Sequence, residues 1–520
     1  MAVACGDGKT IANIRERSIS HPNGRSRPPA RTVRARRPSG GDLGESAGAR
    51  EDGGESRPAT AVTRPAGTHS ERQASVSESH SAAATNGKVT GEDEVVDLCR
   101  DLIRIDTSNY GDHSGPGERA AAEYVAEKLA EVGLEPRIFE SHPGRASTVA
   151  RIEGEDPSRP ALLIHGHTDV VPASPEDWTH HPFSGEIADG CVWGRGAVDM
   201  KDMDAMTLAV VRDRLRSGRK PPRDIVLAFL ADEEAGGVYG ARHLVDRHPD
   251  LFEGVTEAIG EVGGFSFTVN ENLRLYLVET AQKGMHWMRL TVDGTAGHGS
   301  MTNTDNAITE LCEAVGRLGR HRFPVRVTKT VRSFLDELSD ALGTPLDPED
   351  MDETLAKLGG IAKIIGATLR NTAAPTMLGA GYKVNVIPGQ ATAHVDGRFL
   401  PGYEEEFLAD LDRVLGPRVK REDVHTDKAL ETGFDGSLVD AMRYALKAED
   451  PIAHAVPYCL SGGTDAKSFD DLGIRCFGFA PLKLPPELDF AGMFHGVDER
   501  VPVDGLTFGV RVLDRFLDRC

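Results

Sequence analysis

No apolar run in this 520-residue chain reaches the ~18 residues that a membrane-spanning helix needs, which argues against an integral membrane protein. The first thirty residues hold no apolar segment of the kind that forms a signal-peptide core, so secretion is not expected. Cysteine is scarce. Its seven copies, an odd number, are scattered without a C-x-x-C pair. That excludes a disulfide scaffold and a cysteine-ligated zinc ribbon, and it fits the reduced cytoplasm. Internal repeats are absent. Positive charge is short as well: the net charge is −21, and beyond residue 88 there are 46 Lys and Arg against 72 Asp and Glu. So acidic a body repels nucleic acid and anionic membrane surfaces.

The length implies two or three structural units and a large core, at about 100–200 residues per domain. Composition breaks near residue 90. Residues 1–88 are rich in Arg, Ser, Gly, Pro and Ala, show no hydrophobic period, and have almost no large apolar residue after Ile14. Such a segment cannot bury enough surface to offset its ordering entropy, so 1–90 is expected to be a disordered tail. Its Arg25–Arg37 cluster reads as a basic arm or, more simply, as solvated chain. From Glu92 the residues Val95, Leu98, Cys99, Leu102 and Ile103 recur at helical spacing, and a second helix is expected from about Glu118 to Val132, ending at Gly133. The apolar runs 161–164 and 224–230, with a helix over 202–215 between them, predict a mostly parallel sheet covered on both faces. From Gly284 the texture changes. Alternating strands at 286–292 and 391–396, each followed by a helix, at about 305–318 with Asp305 as N-cap and at 404–415, predict a smaller α+β unit. The expected organisation is an α/β catalytic domain in two parts, 91–283 and 429–520, with an inserted lid or dimerisation domain at 284–428. Residues 325–380 show no assignable pattern.

Ligands of parallel sheets bind beyond the carboxyl ends of the strands, and four polar clusters fall there. His165-Gly-His167-Thr-Asp169 follows the first run; an imidazole is a good metal ligand, and a carboxylate two residues on can hold its other nitrogen. Gly194-Arg-Gly-Ala-Val-Asp199-Met-Lys201 presents one carboxylate before a helix, where the dipole alone also favours an acid. Asp232-Glu233-Glu234 puts three adjacent carboxylates at a strand end, where mutual repulsion calls for a positive partner such as a divalent cation. His495-Gly-Val-Asp-Glu499 comes far along the chain. Alone, each is a common pattern.

Together and in this order, with Asn385-Val-Ile-Pro388, Asp396-Gly-Arg398 and Gly462-Gly463-Thr464-Asp465, they resemble the aminoacylase, carboxypeptidase G and succinyl-diaminopimelate desuccinylase family of two-zinc metallopeptidases, over residues 92–520. The resemblance implies two divalent metal ions, Zn with Co or Mn as substitutes. His167 would bind the first, Asp199 would bridge both, and Glu234 and His495 would complete the second. The last ligand of the first metal is assigned to Glu261, with Glu257 as rival. Glu233 would be general base, Asp169 would orient His167, and His298 would reach the oxyanion from a partner subunit or on domain closure. Arg398 and Asn385 would bind substrate, Arg398 gripping a free carboxylate with two parallel hydrogen bonds. The turn at Gly463 and Thr464 would bring backbone donors to the same group. Simpler alternatives stand beside these: a turn histidine at 298, an Asp396–Arg398 salt bridge, and an ordinary glycine turn.

The expected function is hydrolysis of an amide bond in a small peptide or N-acyl amino acid by a cytoplasmic enzyme, with a homodimer through 284–428. Two rivals differ in kind. One is a barrel-type amidohydrolase using His165 with His167. The other is a binding scaffold of the same fold without turnover.

Overall fold

The computed structural model describes residues 89–348, 350–351, 353–354 and 366–520; all but the last two residues of the expected tail lie outside them. The chain enters at Thr90, whose hydroxyl and the Asp93 carboxylate form a reciprocal capping box for the helix Gly91–Arg104. The helix Arg119–Ala130 stops before Gly133, which takes the positive φ of 88° that a left-handed turn requires.

A ten-stranded sheet organises the site. At its centre Ile225–Leu230, Ala161–His167, Val255–Gly260 and Arg475–Gly478 lie side by side and parallel. Antiparallel strands flank them: Arg137–His142 and Arg145–Ile152 on one side, Leu273–Gln282 on the other. Two of them, Ala161–His167 and Ile225–Leu230, are buried along their whole length, which is why they read as continuous apolar runs. The helices Gly91–Arg104, Lys201–Arg216 and Val503–Leu517 pack on one face through Leu102, Met206, Leu208, Val512 and Phe516. Phe469, Leu244 and Phe252 cover the other. This open mixed sheet bears out the expected α/β fold class and removes the barrel alternative.

After Leu273–Gln282 the chain leaves the large sheet. Gly284–Asp293, Thr372–Ala380, Gln390–Phe399 and Lys420–Asp427 form a separate antiparallel sheet of four strands. The helices Ala307–Arg320 and Glu404–Leu415 close one face of it through Leu311, Leu318, Phe407 and Leu411. The N-cap of Ala307–Arg320 is Asn306, one residue later than expected, because its side chain accepts from Ile308 N and Thr309 N. Asp305 instead binds Thr295, through its main-chain N–H at 3.1 Å and its hydroxyl at 2.8 Å. Within the stretch that had no assignable pattern, the helix Lys329–Leu342 packs Phe334, Leu335 and Leu338 against Leu275, Leu277 and Val456 of the large sheet.

Candidate metal centre

Three parallel strands end at the same edge, and each delivers an acid or a histidine there. His167 is the last residue of Ala161–His167, Glu261 follows Val255–Gly260, and Glu233 and Glu234 form a single 3-10 turn just past Ile225–Leu230. Asp199 arrives on the glycine-containing loop ahead of Lys201–Arg216, and His495 on the segment after Ala491–Met493. Three non-glycine residues with positive φ adjoin these groups: Asp232 at 68°, Val262 at 56° and His495 at 57°. A left-handed backbone costs a side-chain-bearing residue about 1–2 kcal/mol, and such positions persist where surrounding structure dictates them.

The distances divide the cluster in two around Asp199. His167 Nε2 lies 3.1 Å from Asp199 Oδ1, 3.4 Å from Glu261 Oε2 and 3.9 Å from Glu233 Oε2. His495 Nε2 lies 3.2 Å from Asp199 Oδ2 and 3.0 Å from Glu234 Oε2. Each oxygen of Asp199 therefore faces a different imidazole. His167 Nδ1 is 3.0 Å from the Asp169 carbonyl and 3.5 Å from Asp169 Oδ1. A carbonyl can only accept, so Nδ1 carries a hydrogen, and Nε2 is the nitrogen turned toward the carboxylates. Asp169 thus orients His167 chiefly through its main chain, while its carboxylate accepts from Glu233 N and Glu234 N, both at 3.1 Å. Glu499, fully buried, holds the other side: its Oε1 accepts from Val198 N and Asp199 N, and its Oε2 pairs with Arg195.

The electrostatics of the hollow call for cations. Burial pushes the carboxyls of Glu233 and Glu234 upward and Glu261 up to about 7, with the neighbouring carboxylates adding to the rise. The Asp199 carboxyl is lowered: burial opposes ionisation there, but hydrogen bonds from His167 and His495 outweigh it. His495 is raised to about 10 by its bonds to Asp199 and Glu234. One oxygen, Glu234 Oε1, is buried with no hydrogen-bond partner. Nitrogen and carboxylate ligands at this spacing suit Zn and similar ions. Two sets of ligand atoms lie within 4.8 Å of one another, His167 with Glu233 and Glu261, and His167 with Asp199 and Glu234. Glu257, the rival of Glu261, turns elsewhere and pairs with Arg223 at 2.9 Å.

Beside the cluster opens a cavity of about 770 Å³. Asp199, Glu233, Glu234, Glu261 and His495 stand in its wall, and the rest is largely apolar, with Phe265, Phe267, Leu460, Leu484, Phe490 and Phe494 among its residues. Gly463 lines it too, where a Cβ would meet Lys467 Nζ at 2.6 Å. Thr464 instead braces the turn, bonded to Gln282 through its N–H at 3.0 Å and its hydroxyl at 2.8 Å.

The remaining expected site residues stand apart from this cavity. His298 is exposed, paired with Val386 in a two-stranded ladder, its Nδ1 2.8 Å from Ser300 Oγ. Asn385, also exposed, accepts from Gly299 N in the same ladder. Arg398 forks onto Asp396 at 2.8 and 3.2 Å. His165, the key residue of the barrel alternative, packs against the Phe469 ring, and burial pulls its imidazole down to about 3.

Three of the residues around the site were given no role by the sequence, although Asp465 stood in a quoted string. Asn109 and Arg145 had no strand-end context to mark them, and Asp465, buried at 5% exposure, had no role.

Residues 163–519 match Peptidase family M20/M25/M40. A probable carboxypeptidase S-like protein of Dictyostelium discoideum is 30% identical over 380 residues, covering 69% of this chain and 71% of its own. Aminoacylase-1 of Sus scrofa is 28% identical over 445 residues, 82% of this chain and 95% of its own. The N-fatty-acyl-amino acid synthase/hydrolase PM20D1 of Xenopus tropicalis is 27% identical over 441 residues, 80% and 84% respectively. Among solved structures, an M20 family metallo-carboxypeptidase of Sulfolobus solfataricus superposes with a TM-score of 0.61 at 18% identity, covering 82% of this chain and 99% of the other. A dinuclear metal binding peptidase of Bacillus subtilis does so at 0.53 and 14%, covering 82% and 97%. With a family match across most of its length, the chain belongs to peptidase family M20/M25/M40 and is an amide-bond hydrolase.

Proposed function

We propose that this enzyme uses two divalent cations, Zn or in its place Co or Mn, to hydrolyse N-acyl amino acids, with small peptides as the neighbouring substrate class. The observation that carries the reading is the divided Asp199 carboxylate, one oxygen toward His167 and the other toward His495. His167, Asp199 and Glu261 would hold one ion, and Asp199, Glu234 and His495 the other. Bound there, the ions polarise the amide carbonyl and lower the pKa of water toward neutrality.

The chain's own residues then have distinct tasks. Glu233 is the acid least engaged by its neighbours, its nearest imidazole contact being 3.9 Å, so it takes a proton from the attacking water and passes it to the leaving nitrogen. Asp169 keeps the Nδ1 proton of His167 in place and grips the backbone under Glu233 and Glu234. Arg398 would exchange its internal partner Asp396 for the substrate carboxylate, and Asn385 and the Gly463 turn would line the same end.

The apolar cavity supports a long aliphatic or aromatic acyl group, because each buried CH₂ contributes about 0.8 kcal/mol. The name of the Xenopus relative points the same way. His298 would complete the site from a partner subunit, in a homodimer through the inserted unit 284–428 flanked by 91–283 and 429–520. Its exposed ladder, with Tyr382 and Val384 bare beside Asn385, supports that. Six free cysteines among the described residues accord with the cytoplasm.

The test is a hydrolysis screen with Zn, Co or Mn added, comparing N-acetyl, N-octanoyl, N-lauroyl and N-palmitoyl amino acids with dipeptides. Turnover rising with acyl length supports the reading. Turnover of dipeptides alone would overturn the acyl assignment, and no metal-dependent turnover at all would favour the scaffold alternative.

A further inference from the structure

Behind the carboxylates runs a line of buried polar side chains that touches no expected ligand directly. Asn109 is buried, and both polar atoms of its amide are fully engaged. Its Oδ1 accepts from Arg145 Nη2 at 2.7 Å and from Gly111 N at 2.9 Å. Both partners can only donate, which fixes the orientation of the amide. Its Nδ2 therefore faces two carboxylates and donates to Asp169 Oδ2 at 2.9 Å and Asp232 Oδ1 at 3.2 Å. Arg145 is paired in turn with Glu118, both of them buried, and its Nε lies 3.9 Å from Asp232 Oδ1. The main-chain N–H of Asn109 donates to Val170 O at 2.8 Å, so the amide is tied to the segment that carries Asp169.

The two carboxylates that Asn109 joins are those that hold the turn of Glu233 and Glu234. Asp169 accepts from both of their main-chain N–H groups, and Asp232 Oδ2 accepts from Tyr239 N at 2.9 Å at the far end of the same loop. Two buried carboxylates this close would repel each other without a donor between them and a cation behind it. Asn109 supplies the first and Arg145 the second. Any displacement of Asp169 is transmitted to Glu233 through the backbone, and a misplacement of about 1 Å can cost a reaction about 10²-fold.

We propose that Asn109, backed by Arg145, is a positioning residue for hydrolysis: by bridging Asp169 and Asp232 it sets where the Glu233 carboxylate stands relative to the scissile amide. The inference rests on Glu233 being the base, and its test separates the two claims.

Asn109→Ala and the milder Asn109→Ser are made in the full chain, alone and combined with Glu233→Gln. Each is assayed with an N-lauroyl amino acid after bound metal and thermal unfolding have been measured. Asn109→Ala is expected to lower kcat about 10- to 100-fold at unchanged metal content, the range seen for residues that orient ligands from behind. KM should stay within about threefold, since no substrate contact is removed. In the Glu233→Gln background the same substitution should add almost nothing, because its effect passes through Glu233. Asn109→Ser, which keeps one short donor, should lose less. Should Asn109→Ala fail to fold, Asn109→Ser completes the same cycle. The inference is overturned if a folded variant keeps full kcat, if the loss follows lost metal, or if it is undiminished beside Glu233→Gln. A Glu233→Gln enzyme with an unchanged rate would instead overturn the reading of the base.

Discussion

The two groups of expected site residues stand in opposite environments. His167 has 1% of its side chain exposed and is locked between a carbonyl and carboxylates at the end of a buried strand. His298 sits between glycines on a two-residue ladder, exposed, its Nδ1 engaged with the nearby Ser300. The difference is one of support. His167, Glu233, Glu234 and Glu261 come from the ends of three neighbouring strands of one sheet, so their geometry follows from the fold's own register, and the loop before Lys201–Arg216 adds Asp199. The group formed by His298, Asn385 and Arg398 belongs to the smaller sheet and its ladder, and none of the three is among the described residues that line the cavity. One half of the expected site is built in advance; the other half, under the proposed reading, would be completed by closure or a second copy. His495 lies between these cases, with 56% of its side chain exposed on an irregular segment although its partners are buried.

That contrast can be broken most forcefully from the rigid side. Glu233→Gln should lower kcat by about 10²- to 10⁴-fold while metal content and unfolding temperature stay as they were, the loss typical of a general base. On the exposed side, His298→Ala should cost about 10²- to 10³-fold in kcat if the imidazole serves the oxyanion. Mixing it with Glu233→Gln protein should restore activity when subunits exchange, because a mixed dimer holds one complete site. No restoration would mean that His298 acts within its own chain.

Arg398→Gln should raise KM about tenfold or more for substrates with a free carboxylate, as expected for a charge-assisted pair, and leave amidated analogues unaffected. The smallest effect concerns the cavity wall. Phe490→Ala should reduce kcat/KM about tenfold for N-lauroyl substrates and little for N-acetyl ones, since only the longer chain loses apolar contact.

The rigid half was legible in the sequence for a physical reason. Strand ends are marked by apolar runs that stop abruptly, and His167, Glu233 and Glu234 come directly after such stops. Asp199 and His495 were legible only through the joint pattern of strings, because glycine loops carry no periodicity. Asn109 and Arg145 gave no signal at all: one follows a helix and the other opens a strand paired on both sides, and their convergence on Asp232 is a product of sheet order. The cavity was equally silent, since Phe265, Phe490 and Phe494 are ordinary apolar residues until the fold gathers them. The helix Lys329–Leu342 did carry a readable period, in Val331, Phe334, Leu335 and Leu338, with Thr328 as cap and Gly343 as stop. It was obscured by the patternless stretch that follows.

Under the proposed function, acids from distant parts of the chain are gathered here because paired cations neutralise them. Metal stoichiometry on the purified enzyme, measured beside Asp199→Asn, tests it directly. Two equivalents of divalent metal per chain are expected, with loss of activity on chelation, recovery on adding Zn, Co or Mn, and impaired binding of both equivalents in Asp199→Asn. Full activity in metal-free protein, or an Asp199→Asn chain that still holds two ions as tightly, would contradict it.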